Sequence, residues 1–333
     1  MFNLLWLQSG GCGGCSMSLL NAESPDLLTA LEVAGINLLW HPALSEATGS
    51  EVRTLLQALV DGEQRLDALC IEGAVVCGPD GSGLFHVLSG TDTPMRDWIV
   101  RLAARARYVF AVGSCASFGG VSSAGANPGE MRGLQFDGQQ PGGALGAGFE
   151  PAAAGRVVNI AGCPPHPNWV LEALMSAALG ELQAEALDEL GRPRFYADHL
   201  VHHGCPRNEF YEYKASASRA SDGGCLMEHM GCVATQAHGD CNIRLWNGEG
   251  SCTRGGYACI NCTAPEFEEP GHSYLQTPKL AGIPVGLPTD MPKAWFVALS
   301  SLSKAATPER LKVNAHSDHI KVAPKIHPVN KKR

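Results

Sequence analysis

Cysteine and histidine are the residues of this chain whose spacing could do chemistry. Seven of its 13 cysteines fall between Cys205 and Cys262, and His202 stands three residues before the first of them as His202-x-x-Cys205. Thiolates are soft donors that hold iron–sulfur clusters or zinc, so such a density reads as metal ligation. A Cys12-x-x-Cys15 pair lies among glycines near the start, and Cys115 and Cys163 each stand within two residues of a glycine. A disulfide framework belongs to small secreted domains. Asn3 to Gln8 carries neither a basic region leading into an apolar stretch nor a twin-arginine signal, so the expectation is a cytoplasmic protein with reduced thiols. Cys259-x-x-Cys262 and Cys12-x-x-Cys15 each suit half a zinc site, which makes zinc the competing metal.

Something must position these donors. Residues 3–8, 36–40, 66–72, 108–113 and 157–161 are short apolar runs without helical period, as strands buried on both faces should be. Helical stretches are expected between them near 51–60, 94–106, where Pro94 suits a helix start, and 168–178. Alternation of this kind predicts an α/β, doubly wound parallel sheet. Ligands of such sheets sit beyond the carboxyl ends of the strands. Cys12 and Cys15 follow the first strand, Cys115 ends the fourth and Cys163 ends the fifth, so four thiols from distant segments are expected on one rim. Gly10, Gly11, Gly13 and Gly14 would relax the backbone there and let amide groups approach cluster sulfurs; alone, the same turn could cradle a phosphate.

From about residue 191 periodicity fades into turn-formers, aromatics and cysteines, and an irregular chain with a partly inorganic core is expected. His202, Cys205, Cys225 and Cys232 make one four-ligand set, and Cys241, Cys252, Cys259 and Cys262 another. With the rim thiols, eleven cysteines and one histidine supply four ligands to each of three clusters. Cys70 and Cys77 are left over as small buried hydrophobes. The organisation expected is a first domain over 1–190, a cluster domain over 191–303 and a basic tail over 304–333.

The 333 residues are 45% apolar and 17% charged, with material for a real core. A net charge of −8 argues against a nucleic-acid surface, and no apolar run approaches the roughly 20 residues a membrane span needs. Trp295, Phe296 and Leu299 are expected as a helix face packed on the body, since Ser300, Ser301, Ser303 and Lys304 follow. Glu72 is expected to be held by backbone hydrogen bonds rather than to relay protons. Lys304, Arg310, Lys312, Lys321, Lys325, Lys331, Lys332 and Arg333 face only Glu309 and Asp318, giving the last segment a basic character.

Leu5-Trp6, Cys12-x-x-Cys15, Glu72-Gly73, Gly113-Ser114-Cys115, Gly162-Cys163-Pro164, His202-x-x-Cys205-Pro206-Arg207, Gly231-Cys232 and Cys259-Ile260-Asn261-Cys262, over about residues 3–270, resemble the small subunit of a nickel–iron hydrogenase. The resemblance implies a flavodoxin-like domain followed by a largely irregular iron–sulfur domain, and an oxidoreductase acting on hydrogen whose nickel–iron centre lies in a partner large subunit. It also implies an electron wire: a proximal four-iron cluster on Cys12, Cys15, Cys115 and Cys163, a medial cluster, and a distal four-iron cluster on His202, Cys205, Cys225 and Cys232. Members commonly give the medial cluster three cysteines and hold three irons. Here Cys252 can join Cys241, Cys259 and Cys262, so a four-iron medial cluster of lower potential is expected. Oxygen-tolerant members place two extra cysteines where Gly14 and Gly120 stand, so an ordinary proximal cluster is expected.

The chain is most similar to small subunits of cytoplasmic hydrogen-sensing, regulatory hydrogenases, notably over Leu4 to Cys12 and Asn247 to Cys252. That likeness implies signalling to a histidine kinase, with the basic tail as the docking segment, and allows a dimer of heterodimers. An uptake hydrogenase subunit passing electrons to a respiratory or soluble acceptor is the alternative. A quinone-reductase relative shares only the first domain, and the cysteines from Cys205 to Cys262 weigh against it.

Overall fold

The computed structural model describes residues 1–267, 274–285 and 292–325. Two compact units divide the chain, residues 1–199 with 262–272, and residues 200–261 with 273–333.

The first unit is organised by a five-stranded parallel sheet, β1 (Phe2–Gln8), β2 (Ile36–Trp40), β3 (Ala68–Glu72), β4 (Tyr108–Val112) and β5 (Val158–Ile160), in the order β2-β1-β3-β4-β5. Every residue of β3, β4 and β5 is buried, which is why their sequences run apolar instead of alternating. Gln8 registers with Glu72 across β1 and β3, and Glu72 with Val112 across β3 and β4, so three strand ends lie level. Strand order reverses between β1 and β3, and at such a switch point the flanking loops part to leave a crevice.

Helices cover the faces. α1 (Gly14–Leu19) and α2 (Leu27–Val33) follow β1, and α3 (Ser50–Asp61) buries Val52, Leu56, Leu59 and Val60 at helical spacing. α4 (Met95–Ala103) buries Trp98, Ile99 and Leu102, α5 (Ser114–Phe118) follows β4, and α6 (Pro167–Ala178) starts with proline in its first turn and with the His166 side chain accepting from Asn168 N at 3.2 Å. α7 (Arg194–Ala197) brings Tyr196 onto Trp169, ring centroids 4.1 Å apart. The expected strands and helices are present within a few residues; α1, α2, α5 and α7 are additional.

The second unit is mostly irregular, with α8 (Asn208–Glu212), α9 (Lys293–Ala306), α10 (Glu309–Ala315) and a short antiparallel pair, Lys279–Leu280 with Ile283–Pro284. Two expectations are corrected here. Segment 304–325 is no free tail: α10 buries Leu311 and Ala315 in a cluster with Phe210, Tyr213 and Ala215, because an apolar pair one helical turn apart finds an apolar surface to cover. Lys331, Lys332 and Arg333 lie outside the described residues. Trp295 and Leu299 do lie on a helix, but they are 67% and 57% exposed; only Phe296 turns inward. Among the described residues no helix is long and apolar enough to cross a membrane.

Candidate metal centres

At the carboxyl edge of the sheet, backbone pairs lock the cysteine-bearing loops together. Gly10 N donates to Ala74 O at 2.8 Å and Ala74 N returns to Gly10 O at 2.9 Å, joining the loops after β1 and β3. Gly113 N donates to Ile160 O at 2.9 Å, and Ser114 Oγ accepts from Gly162 N at 2.9 Å, so the Cys115 turn is tied to the Cys163 turn. Ser18 Oγ on α1 donates to Pro165 O at 2.6 Å, closing the circuit.

Cys12, Cys115 and Cys163 lie within electrostatic reach of Cys15 on this rim. Burial pushes the Cys15 thiol strongly upward, and the negative charges of Glu72, Cys115, Cys163 and Cys12 add to the effect. A thiol so placed ionises only with positive charge beside it, which is what iron supplies to a thiolate. Glycine is required at two points. A Cβ on Gly113, whose φ is +89°, would lie 2.4 Å from Cys15 Sγ. A Cβ on Gly120, φ +60°, would lie 2.7 Å from Cys115 Cα and 2.8 Å from its Sγ, so this backbone has no room for a cysteine there.

Glu72 anchors the Cys12–Cys15 turn. Its Oε1 accepts from Cys15 N at 2.9 Å and Ser16 N at 3.1 Å, and its Oε2 from Trp6 Nε1 at 3.2 Å, Gln8 Nε2 at 2.9 Å and Ser16 Oγ at 2.5 Å. Five donors on a carboxylate only 2% exposed make it a clamp on the first turn of α1, in keeping with the backbone-bound role expected for it.

In the second unit His202, Cys205, Cys225 and Cys232 line one small cavity. Burial pushes the Cys225 thiol up to about 11, and it also raises Cys232. His202 is held below the ordinary imidazole range by burial, opposed by a hydrogen bond with the Asn208 side chain, so a neutral ring faces the three thiols. Neutral imidazole is the ligating form. Arg207, in the same wall, donates from Nη1 to Asp222 O at 2.7 Å and Gly224 O at 2.6 Å, and from Nε to Thr253 O at 3.0 Å, fixing a cation beside the thiols. The motif containing Arg207 was legible in the sequence; its purpose was not.

Cys241, Cys252 and Cys259 belong to the second unit, whereas Cys262 opens the segment counted with the first. One residue the sequence did not single out organises the Cys252 turn: Asn242 Oδ1 accepts from Ser251 Oγ at 2.5 Å and Thr253 Oγ1 at 2.8 Å, and its Nδ2 donates to Val201 O at 2.5 Å. The residues flanking Cys252 are thus bound to the neighbour of Cys241. Cys259 N donates to Cys232 Sγ at 3.4 Å, which puts that donor beside the His202 set. Cys262 O accepts from Ser114 Oγ within the first unit. Cys70 and Cys77 are buried away from these sets, as expected of structural thiols. Among the described residues no three His, Cys, Asp or Glu side chains close around one ion.

Sheet, rim thiols and cysteine-lined second unit place the chain among oxidoreductase subunits built from a doubly wound domain and a cysteine-rich one. The family model "NADH ubiquinone oxidoreductase, 20 Kd subunit" matches residues 12–177, and the C-terminal model of the NiFe/NiFeSe hydrogenase small subunit matches residues 197–275. The chain is 36% identical to the F420 non-reducing hydrogenase II small subunit of Methanosarcina mazei, over 80% of this chain and 73% of that one. It is 28% identical to the periplasmic [NiFeSe] hydrogenase small subunit of Desulfomicrobium baculatum, over 80% and 84%. Among solved structures, an actinobacterial-type NiFe-hydrogenase from Ralstonia eutropha H16 superposes with a TM-score of 0.72 at 26% identity, covering 93% of this chain and 92% of that one. The chain belongs to the small-subunit family of nickel–iron hydrogenases, oxidoreductases whose catalytic site lies in a large subunit.

Proposed function

We propose that the chain holds three four-iron clusters and carries electrons from hydrogen oxidised in the large subunit, as the cytoplasmic small subunit of a hydrogen-sensing enzyme. The proximal set is Cys12, Cys15, Cys115 and Cys163, the medial set Cys241, Cys252, Cys259 and Cys262, and the distal set His202, Cys205, Cys225 and Cys232. The observation carrying this reading is the gathering of His202 with three thiols around one cavity. When bound, the clusters supply one-electron transfer. The protein's residues do the rest: Glu72 holds the Cys15 turn, Asn242 holds the Cys252 turn, and Arg207 keeps a positive charge where electrons would leave.

Sensing is supported by the likeness of Leu4 to Cys12 and Asn247 to Cys252 to regulatory members, and by the surface of α9 and α10, where exposed Trp295 and Leu302 accompany exposed Lys312. That surface suits the acidic face of a histidine kinase, and it leaves a pairing of two heterodimers open to the same contacts. Purified complex mixed with a candidate sensor histidine kinase should change the kinase's autophosphorylation when hydrogen is admitted, with association weakened by salt. Absence of binding, together with hydrogen-driven reduction of a respiratory or soluble acceptor, would favour the uptake reading. That second reading has its own support, since the relatives named above carry the names of hydrogenases and none names a sensor.

A further inference from the structure

Helix α8 closes with a paired turn: Lys214 N donates to Tyr211 O at 3.1 Å, and Ala215 N donates to Phe210 O at 2.9 Å. In that arrangement the residue two places beyond the helix takes up left-handed backbone, and glycine usually fills it because a side chain there is strained. Lys214 occupies the position at φ +53°. A lysine kept where glycine would be easier implies a use for its side chain. That side chain is half-buried, and its Nζ sits 4.0 Å from the centroid of the Tyr211 ring. The same ring meets the His202 imidazole, with centroids 4.5 Å apart and planes inclined at 66°. Asn208, at the start of the helix, hydrogen-bonds the His202 side chain. Residues 208, 211 and 214 recur every three positions, so one short element brings an amide, a ring and a cation toward a single histidine.

Lys214 has no carboxylate partner among the described residues, since Glu228 is taken by Lys304 Nζ at 2.7 Å and by Ser216 Oγ at 2.5 Å. Burial lowers the Lys214 ammonium from its ordinary range and Lys304 adds to the fall, while the negative charges of Cys225 and Glu228 oppose it. The negative face of an aromatic ring holds an ammonium in place without cancelling its charge, as a carboxylate would.

We propose that Tyr211 and Lys214 are positioning residues for electron exit: Tyr211 fixes the plane of the His202 ring, and the charge of Lys214 raises the potential at which the His202 set accepts an electron. The inference rests on the assignment of that set as the distal cluster. Taking up one electron makes the set more negative by one unit, and a cation held partly out of solvent favours that state because salt screens it weakly.

The test uses the anaerobically purified complex of large and small subunits, with the paramagnetic signal of the reduced distal set followed in a redox titration. In Lys214→Met the ratio of reduced to oxidised distal set at a fixed applied potential should fall about tenfold, a downward shift of about 59 mV for one electron. Lys214→Gly, which suits the left-handed backbone, should show the same fall, and Lys214→Arg should stay near wild type. Tyr211→Leu should alter the nitrogen hyperfine coupling of His202 to that signal, whereas Tyr211→Phe should preserve it. Lys321→Gln, at an exposed side chain, should change neither quantity. A potential unmoved in both Lys214→Met and Lys214→Gly, or an equal fall in Lys214→Arg, would overturn the role of the charge. Unchanged coupling in Tyr211→Leu would overturn that of the ring. Absence of a distal signal from wild-type complex that holds nickel would overturn the cluster assignment and this inference with it, whereas a distal signal whose potential ignores Lys214 overturns the inference alone.

Discussion

Replacing Glu72 probes how the proximal turn is held. In Glu72→Gln one carboxylate oxygen becomes an NH2 group. The remaining oxygen can keep Cys15 N and Ser16 N, Gln8 can turn its amide to present oxygen, and Ser16 Oγ can accept instead of donate. Trp6 Nε1, on a side chain 1% exposed, cannot turn, so one buried donor is left facing another. An unsatisfied buried group costs about 1–3 kcal/mol, which is the expected loss. Glu72→Ala strands Trp6 Nε1 and both backbone donors together, a loss of roughly 3–9 kcal/mol, comparable to the whole stability of a domain. Urea unfolding of the intact complex, followed with iron retention, reads the first loss, and low yield with missing iron reads the second. Trp6→Phe removes the donor that cannot turn, so Glu72→Gln in that background should cost about 1 kcal/mol less than in the native one. A Glu72→Ala protein within about 0.5 kcal/mol of wild type, or a cycle with no coupling, would refute the clamp.

Cys252→Pro should open one corner of the medial cluster and yield a three-iron species with its own paramagnetic signal on oxidation; a wild-type protein already showing that signal in full after anaerobic purification would contradict the assignment. His202→Ala should slow electron exit to dyes while sparing hydrogen–deuterium exchange at the large subunit, and equal loss of both would mean that His202 serves assembly instead. Leu311→Ala, at a fully buried position of α10, should cost about 2–5 kcal/mol in urea unfolding, and a negligible effect would restore the free-tail expectation. Burial acts to raise the Glu228 carboxyl, but hydrogen bonds from Lys304 and Ser216 outweigh it and hold the group below its ordinary 4.5. Its tie to α9 is therefore fully present above about pH 4.5 and lost as pH falls through the lower folded value, so proteolysis between α9 and the body should accelerate only in that acid window, and acceleration near neutrality would contradict it.

The sheet was legible because strands buried on both faces must be apolar throughout, and residues 108–112 show that without ambiguity. α1 was not, because six residues held by a carboxylate more than fifty positions away carry no period of their own. α2 carried a signal that went unread, Asp26 capping with its side chain accepting from Thr29 N at 3.0 Å. Donor residues were legible from type and spacing, while the residues that hold them, Asn242 and Glu72 with its five donors, follow from distances that only the folded chain supplies. Charge misled at the C-terminus: counting lysines gave a basic tail, whereas Leu311 and Ala315 decided where α10 lies.

The central claim, three four-iron clusters in this chain and nickel only in its partner, is tested most directly by counting metals in the anaerobically purified complex. About twelve irons assigned to this subunit, beyond the one paired with nickel, would follow from three filled four-ligand sets, and removing any one distal thiol, such as Cys205, should lower the count by about four without removing nickel. Zinc in place of iron, or about eight irons with Cys12, Cys15, Cys115 and Cys163 dispensable, would contradict it.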